Sequence, residues 1–260
     1  VTNMSYMFSE ATAFNKSLDK WDVSAVTNMS NMFEGATAFN KPIGDWNVSN
    51  VRDMSSMFVS ATAFNKPIGD WDVSQVTDMS YMFSSAKSFN QPIGDWDVSS
   101  VANMNNMFSR ATAFNQPIGD WDVTAVHHMS GMFAGATAFN KSIGDWDVSS
   151  VLNMCDMFNG AEEFNQNIGS WDISNVCEFC RMFMNATSFN QDIVGWKFGN
   201  ILYTMEDMFN GATAFNKDIS EWEFQVQTGC IKIDSMWGNT FISENYKPDT
   251  LSPSCMRELW

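Results

Sequence analysis

Two columns of aspartate are the residues whose type and spacing invite chemistry. Asp45, Asp70, Asp95, Asp120 and Asp145 recur every 25 residues, and Asp22, Asp72, Asp97, Asp122, Asp147 and Asp172 share a second phase of the same period. Carboxylate oxygens in an array suit Ca²⁺ or a mineral surface, provided that about six or more of them converge on one point. The plainer alternative is a solvated face, with one Asp per copy bonded to the turn that follows it. Neighbours about 5 Å apart along a column repel unless they bind cations, accept hydrogen bonds or shift their pKa values. Calcium is the one cofactor the sequence raises.

The cysteines offer a second chemistry. Cys155 and Cys180 hold the same phase of adjacent copies, where Ser is usual, so stacking brings their Cα atoms within disulfide range. Cys230 and Cys255 are expected to pair next, leaving Cys177 free or intermolecular. Cys177 and Cys180 also have a CxxC spacing, but no second pair or suitable His completes a zinc set. Disulfides place the chain in an oxidising compartment. Enzyme chemistry has little to build on. His127 and His128 are the only histidines, no GxSxG, P-loop or GxGxxG occurs, and each Asp is surrounded by copies of itself rather than by the unequal environments that acid–base work needs.

The formal charge of −16, from 30 acidic and 14 basic residues, disfavours nucleic acid and anionic lipid and favours cations or basic partners. No apolar run of about 18 residues predicts a membrane span. Val1 is already in phase with the repeat and no initiator Met precedes it, so a processed or truncated piece of a longer chain is expected.

These residues are positioned by repetition. Copies open at Val1, Val26, Val51, Val76, Val101, Val126, Val151 and Val176, and a ninth begins at Leu202 after one inserted residue near 199–201. In the second copy the apolar columns are Val26, Met29, Met32, Phe33, Ala36, Phe39, Ile43, Trp46 and Val48. Val26, Met29, Phe33 and Ala36 fall on one stripe of a short helix or helical turn, with Asn28 or Ser30 as N-cap. Ile43, Trp46 and Val48 predict a short strand, with Trp and Val inward and Asp45 and Asn47 outward. Such a coil cannot bury its own apolar side, whereas a stack of coils can, so residues 1–224 are expected to form a nine-copy solenoid and 225–260 a C-terminal cap in which Ile231, Ile233, Trp237 and Phe241 cover the last coil. An unbroken Asn column (Asn15, Asn40, Asn65, Asn90, Asn115, Asn140, Asn165, Asn190, Asn216) predicts a buried structural ladder, one amide accepting from or donating to the next coil.

The string FN-x-x-I-x-x-W-D-V-S-x-V-x-x-M-x-x-MF, running through residues 1–224, resembles the BspA-like repeat of bacterial surface proteins, a branch of the leucine-rich repeats. The resemblance implies a right-handed leucine-rich-repeat-like coil with one short parallel strand and one short helix or helical turn per repeat. It also implies an extracellular or cell-surface setting and a role in adhesion or protein binding, with no catalytic residue. Together the readings predict a secreted or surface-displayed, non-catalytic adhesion and protein-interaction solenoid with a protein or extracellular-matrix partner. The alternatives are a self-associating subunit of an extracellular filament or coat, or a calcium- or mineral-binding acidic array.

Overall fold

In residues 29–36 the backbone N–H groups alternate between two destinations. Those of Met29, Asn31, Phe33 and Gly35 donate to carbonyls of the next coil at Asp53, Ser55, Met57 and Val59 over 2.7–2.9 Å, while those of Met32, Glu34 and Ala36 turn back onto Met29, Asn31 and Phe33. Asn31 (φ 58°) and Gly35 (φ 64°) are left-handed and stand third in two of these turns, as type II turns require. The same two phases are left-handed in all nine coils, from Tyr6 and Glu10 to Asp207 and Gly211. An α-helix does not tolerate that alternation. The predicted helix is therefore replaced by a chain of turns, and no α-helix occurs among the described residues.

The computed structural model describes residues 1–199, 202–223 and 236–238. The expected Cys230–Cys255 pairing, Ile231, Ile233, Phe241 and most of the expected cap at 225–260 lie outside the described residues. Met236 and Trp237 lie within them: the Met236 carbonyl accepts from Phe209 N–H at 2.8 Å, and the Trp237 ring stacks on Phe209 at 5.6 Å. They extend the stack by one Met–aromatic pair.

The strand is also displaced. Among the described residues parallel pairing is confined to one residue per coil, running Asn3, Asn28, Asp53, Asp78, Asn103, His128, Asn153, Glu178 and Thr204, and does not involve the Trp46–Val48 segment. Local turns use the hydrogen bonds there, since Trp46 N–H donates to Ile43 and Val51 N–H to Val48. The indole takes over the cross-coil link. Trp71 Nε1–H donates to the Ile43 carbonyl at 3.1 Å, and each Trp from Trp46 to Trp222 makes the equivalent bond to the coil before it.

All nine apolar columns face one continuous core. From Val26 to Trp196 almost every member is buried. Two phenylalanine stacks run its length: Phe33, Phe58, Phe83 and their equivalents repeat at 5.5–5.8 Å, and Phe39, Phe64, Phe89 and theirs at 5.8–6.1 Å. The two rings within a coil, such as Phe83 and Phe89, lie 3.9 Å apart at 8°. Near-parallel rings at these spacings are offset stacks, and they set the pitch that every surface column inherits. The coils approach so closely at the Gly44 phase that a Cβ there would stand 2.7 Å from the Pro67 carbonyl. The inserted residue before Leu202 leaves these columns in register, because Asn216 N–H reaches Asn190 Oδ1 and Trp222 Nε1–H reaches the Ile193 carbonyl across the longer interval.

Candidate functional site

Asp45, Asp70, Asp95, Asp120 and Asp145 are exposed, as are Asp22, Asp72, Asp97, Asp122, Asp147 and Asp172. They lie on turns rather than on a sheet. In the second column each carboxylate closes the following turn: Ser74 gives both its N–H (3.1 Å) and hydroxyl (2.7 Å) to Asp72 Oδ1. Ser24, Ser99, Thr124 and Ser149 do the same for Asp22, Asp97, Asp122 and Asp147, and Ser174 N–H binds Asp172. The serine hydroxyl, then the serine N–H, holds the Asp22, Asp72, Asp97 and Asp147 carboxyls below the ordinary aspartate range. At Asp97, repulsion from Asp72 opposes this and is the smallest contribution. Hydrogen bonding therefore outweighs the like-charge spacing. Among the described residues no group of three His, Cys, Asp or Glu side chains is arranged to hold a metal ion.

The asparagine column forms a cross-coil ladder. Asn40 N–H donates to Asn15 Oδ1 at 3.1 Å, and the bond repeats through Asn65, Asn90, Asn115, Asn140, Asn165, Asn190 and Asn216. It is half-buried along most of its length, and exposed at Asn15 and Asn216, rather than buried as expected, because the corner it closes lies at the coil surface. Gln91, Gln116, Gln166 and Gln191 add side-chain donors to the same oxygens. Asn28 caps its own turn through Ser30 N–H without starting a helix.

Cys155 and Cys180 form a disulfide with Cα atoms 4.6 Å apart. Cys177 is a free, half-buried thiol whose pKa is pushed up, first by burial and then by the Glu178 carboxylate. His127 and His128 are exposed neighbours, His128 serving as a member of the paired column.

Sequence reasoning placed function in the uniform columns and missed a second face. Three of its phases change from coil to coil: Tyr81, Asn106, Gly131, Asp156 and Arg181 in one, Ser84, Ser109, Ala134, Asn159 and Met184 in the next, Ser85, Arg110, Gly135, Gly160 and Asn185 in the third. A cavity of about 490 Å³ opens on this face, lined in part by Asn106, Arg110, Ala134, Gly135, Asp156 and Asn159. The sixth coil forms its floor at Ala134 and Gly135, which carry little or no side chain. On one wall Asp156 is fixed by Arg181, whose Nε and Nη2 donate over 2.9 and 2.7 Å, and by Asn159 Nδ2 at 2.8 Å. On the other wall the Arg110 stem lies over the Gly135 floor, where a Cβ would meet Arg110 Cγ at 3.2 Å. The signal was present in the sequence as phases at which the repeat does not repeat.

Stacked coils on one continuous core, with uniform structural columns and surface phases that vary from coil to coil, define a repeat solenoid. The chain belongs to the family described as "Mycoplasma protein of unknown function, DUF285", which matches residues 1–86, 65–162 and 140–241. No curated protein matches it. Among solved structures, the chain is similar to that of the TLR13–ssRNA13 complex, with 11% identity and a TM-score of 0.27 over 86% of this chain and 33% of the other. It is also similar to an internalin (inlF) from Listeria monocytogenes, with 9% identity and a TM-score of 0.20 over 85% of this chain and 80% of the other. The chain thus spans about a third of the TLR13 chain's length.

Proposed function

We propose that the protein is a non-catalytic recognition scaffold displayed outside the cell, which binds a protein or extracellular-matrix partner through the variable face. The observation that carries this reading is the division of the surface. The columns that stabilise the fold are uniform, while the phases of Asn106, Ser109 and Arg110 change from coil to coil on a core that keeps them in fixed register. A rigid support with adaptable exposed positions is the economy of repeat binding proteins. The Cys155–Cys180 bridge supports an oxidising compartment, and the likeness of the repeat to BspA-like surface proteins supports display. No helix among the described residues is long and apolar enough to cross a membrane.

The test is binding of the folded chain to immobilised decellularised matrix, comparing two triple variants. Replacement of Tyr81, Asn106 and Asn159 by Ala is expected to reduce retention by at least about tenfold, a loss of about 1.4 kcal/mol. Replacement of Asp70, Asp95 and Asp120 by Asn is expected to leave it unchanged. Loss in the aspartate variant alone would return function to the acidic columns.

A further inference from the structure

We propose that the cavity over the sixth coil binds a saccharide bearing a single carboxylate, such as a uronic acid unit, with Arg110 receiving the carboxylate. This site rests on the recognition reading above and gives it a ligand class.

Charge comes first. The protein carries −16 overall, yet the guanidinium on this wall makes no ion pair or hydrogen bond to any described residue, while Arg181 nearby is spent on Asp156. An arginine fork without a partner fits a carboxylate in bidentate fashion. The surrounding acidity selects for one such group and repels a polyanion, which excludes nucleic acid and densely sulfated chains.

The shape is the second consideration. Gly135 is left-handed and leaves the floor at backbone level, while the Asn106 amide closes over Gly131 beside it. The cavity lies over the sixth coil and reaches Gly160 of the seventh, with Arg110 on one side and Asp156 on the other. Its volume of about 490 Å³ falls in the range of small-molecule sites.

Lining chemistry separates a saccharide from a peptide. Asn106 and Ser109 present an amide and a hydroxyl that both donate and accept, the Ser130 hydroxyl, which donates to the Cys155 carbonyl, keeps its acceptor side, and Asn159 keeps its amide oxygen, so the lining matches sugar hydroxyls in either sense. No apolar pocket is present among the lining residues to seat the aromatic or aliphatic anchor on which peptide interfaces depend. Tyr81, exposed and left-handed, stands one coil before Asn106 in the same column.

The experiment is calorimetric titration of the full chain with the disaccharide of glucuronic acid and N-acetylglucosamine, which bears one carboxylate. Its carboxyl-reduced counterpart and an end-capped peptide with a single glutamate are run beside it. The acidic disaccharide is expected to bind at least about tenfold more tightly than either. Arg110→Gln removes that preference, and Arg52→Gln, an exposed arginine on the third coil, leaves it intact. Ala134→Met fills the channel with the side chain that the eighth coil carries at the same phase, Met184, and is expected to abolish binding with no change in melting temperature. Equal affinity for the reduced sugar, tighter binding of the peptide, or no heat at millimolar acidic disaccharide overturns the proposal. If matrix retention persists while the sugar fails, the fault lies with the ligand class and not with the variable face.

Discussion

Trp121→Ala tests the reading of the tryptophan column most directly. The indole is 4% exposed, donates Nε1–H to the Ile93 carbonyl at 3.1 Å, and lies 6.5 Å from the Trp146 ring and 6.4 Å from that of Phe108. Truncation to Ala should leave a cavity costing about 3–5 kcal/mol. The Ile93 carbonyl loses its cross-coil donor, which adds about 1 kcal/mol if no water replaces it. Trp121→Phe retains most of the apolar contact and deletes the N–H, so it should cost about 1–2 kcal/mol. Trp21→Ala is the internal control: Trp21 is 37% exposed on the first coil, and its loss should fall below about 1.5 kcal/mol. Urea unfolding followed by far-UV circular dichroism provides all three values, read as midpoint shifts at constant slope. A loss under about 1.5 kcal/mol for Trp121→Ala, or equal losses for Trp121→Phe and Trp121→Ala, would refute the assignment of the column to a core that needs both the ring and its donor.

Three further outcomes follow from the same geometry. Asn115→Ala removes the acceptor of Asn140 N–H (3.0 Å) and should cost about 1 kcal/mol, whereas Asn115→Asp keeps an acceptor and should cost less in the same urea series. Reducing Cys155–Cys180, which closes a 25-residue interval, should lower stability by about 3 kcal/mol on the loop-closure argument; an unchanged midpoint after reduction would show that stacking already fixes those two coils in the unfolded reference. The depressed carboxyl pKa values of Asp72, Asp97 and Asp147 contribute stability that is present above the unfolded aspartate value and lost as pH falls through the lower folded values. The melting temperature should therefore drop below about pH 4. Replacing Ser74, Ser99 and Ser149 by Ala should flatten that drop, and an identical acid profile in the triple variant would contradict it.

The period, the nine apolar columns, the asparagine column and the cysteine phase were legible in the sequence because each demands only that side chains at one phase meet their own copies. Stacking guarantees that meeting whatever the local backbone does. The helix and the strand were misread for a related reason. Val26, Met29, Phe33 and Ala36 face inward along a run of turns much as they would along a helix, so a pattern of burial could not distinguish the two. The left-handed conformations that decide the matter fall at Tyr81, Ser56 or Arg110 as often as at glycine, and those residues do not advertise it.

The candidate site divides in the same way. Aspartate at the Asp72 phase was visible as charge, but its commitment to Ser74 required the turn to bring N–H and hydroxyl onto one oxygen. The channel at Arg110 depends on three consecutive coils differing at once, with Arg110 on one side of Ala134 and Gly135 and Asp156 on the other. By itself the sequence determined that this chain is a stack and which residues are buried in it, since burial follows from repetition and hydrophobicity alone. Only the tertiary structure decided which exposed columns share a face and where that face is indented, because the backbone path through paired left-handed turns, and not the order of residues, sets the direction of each side chain.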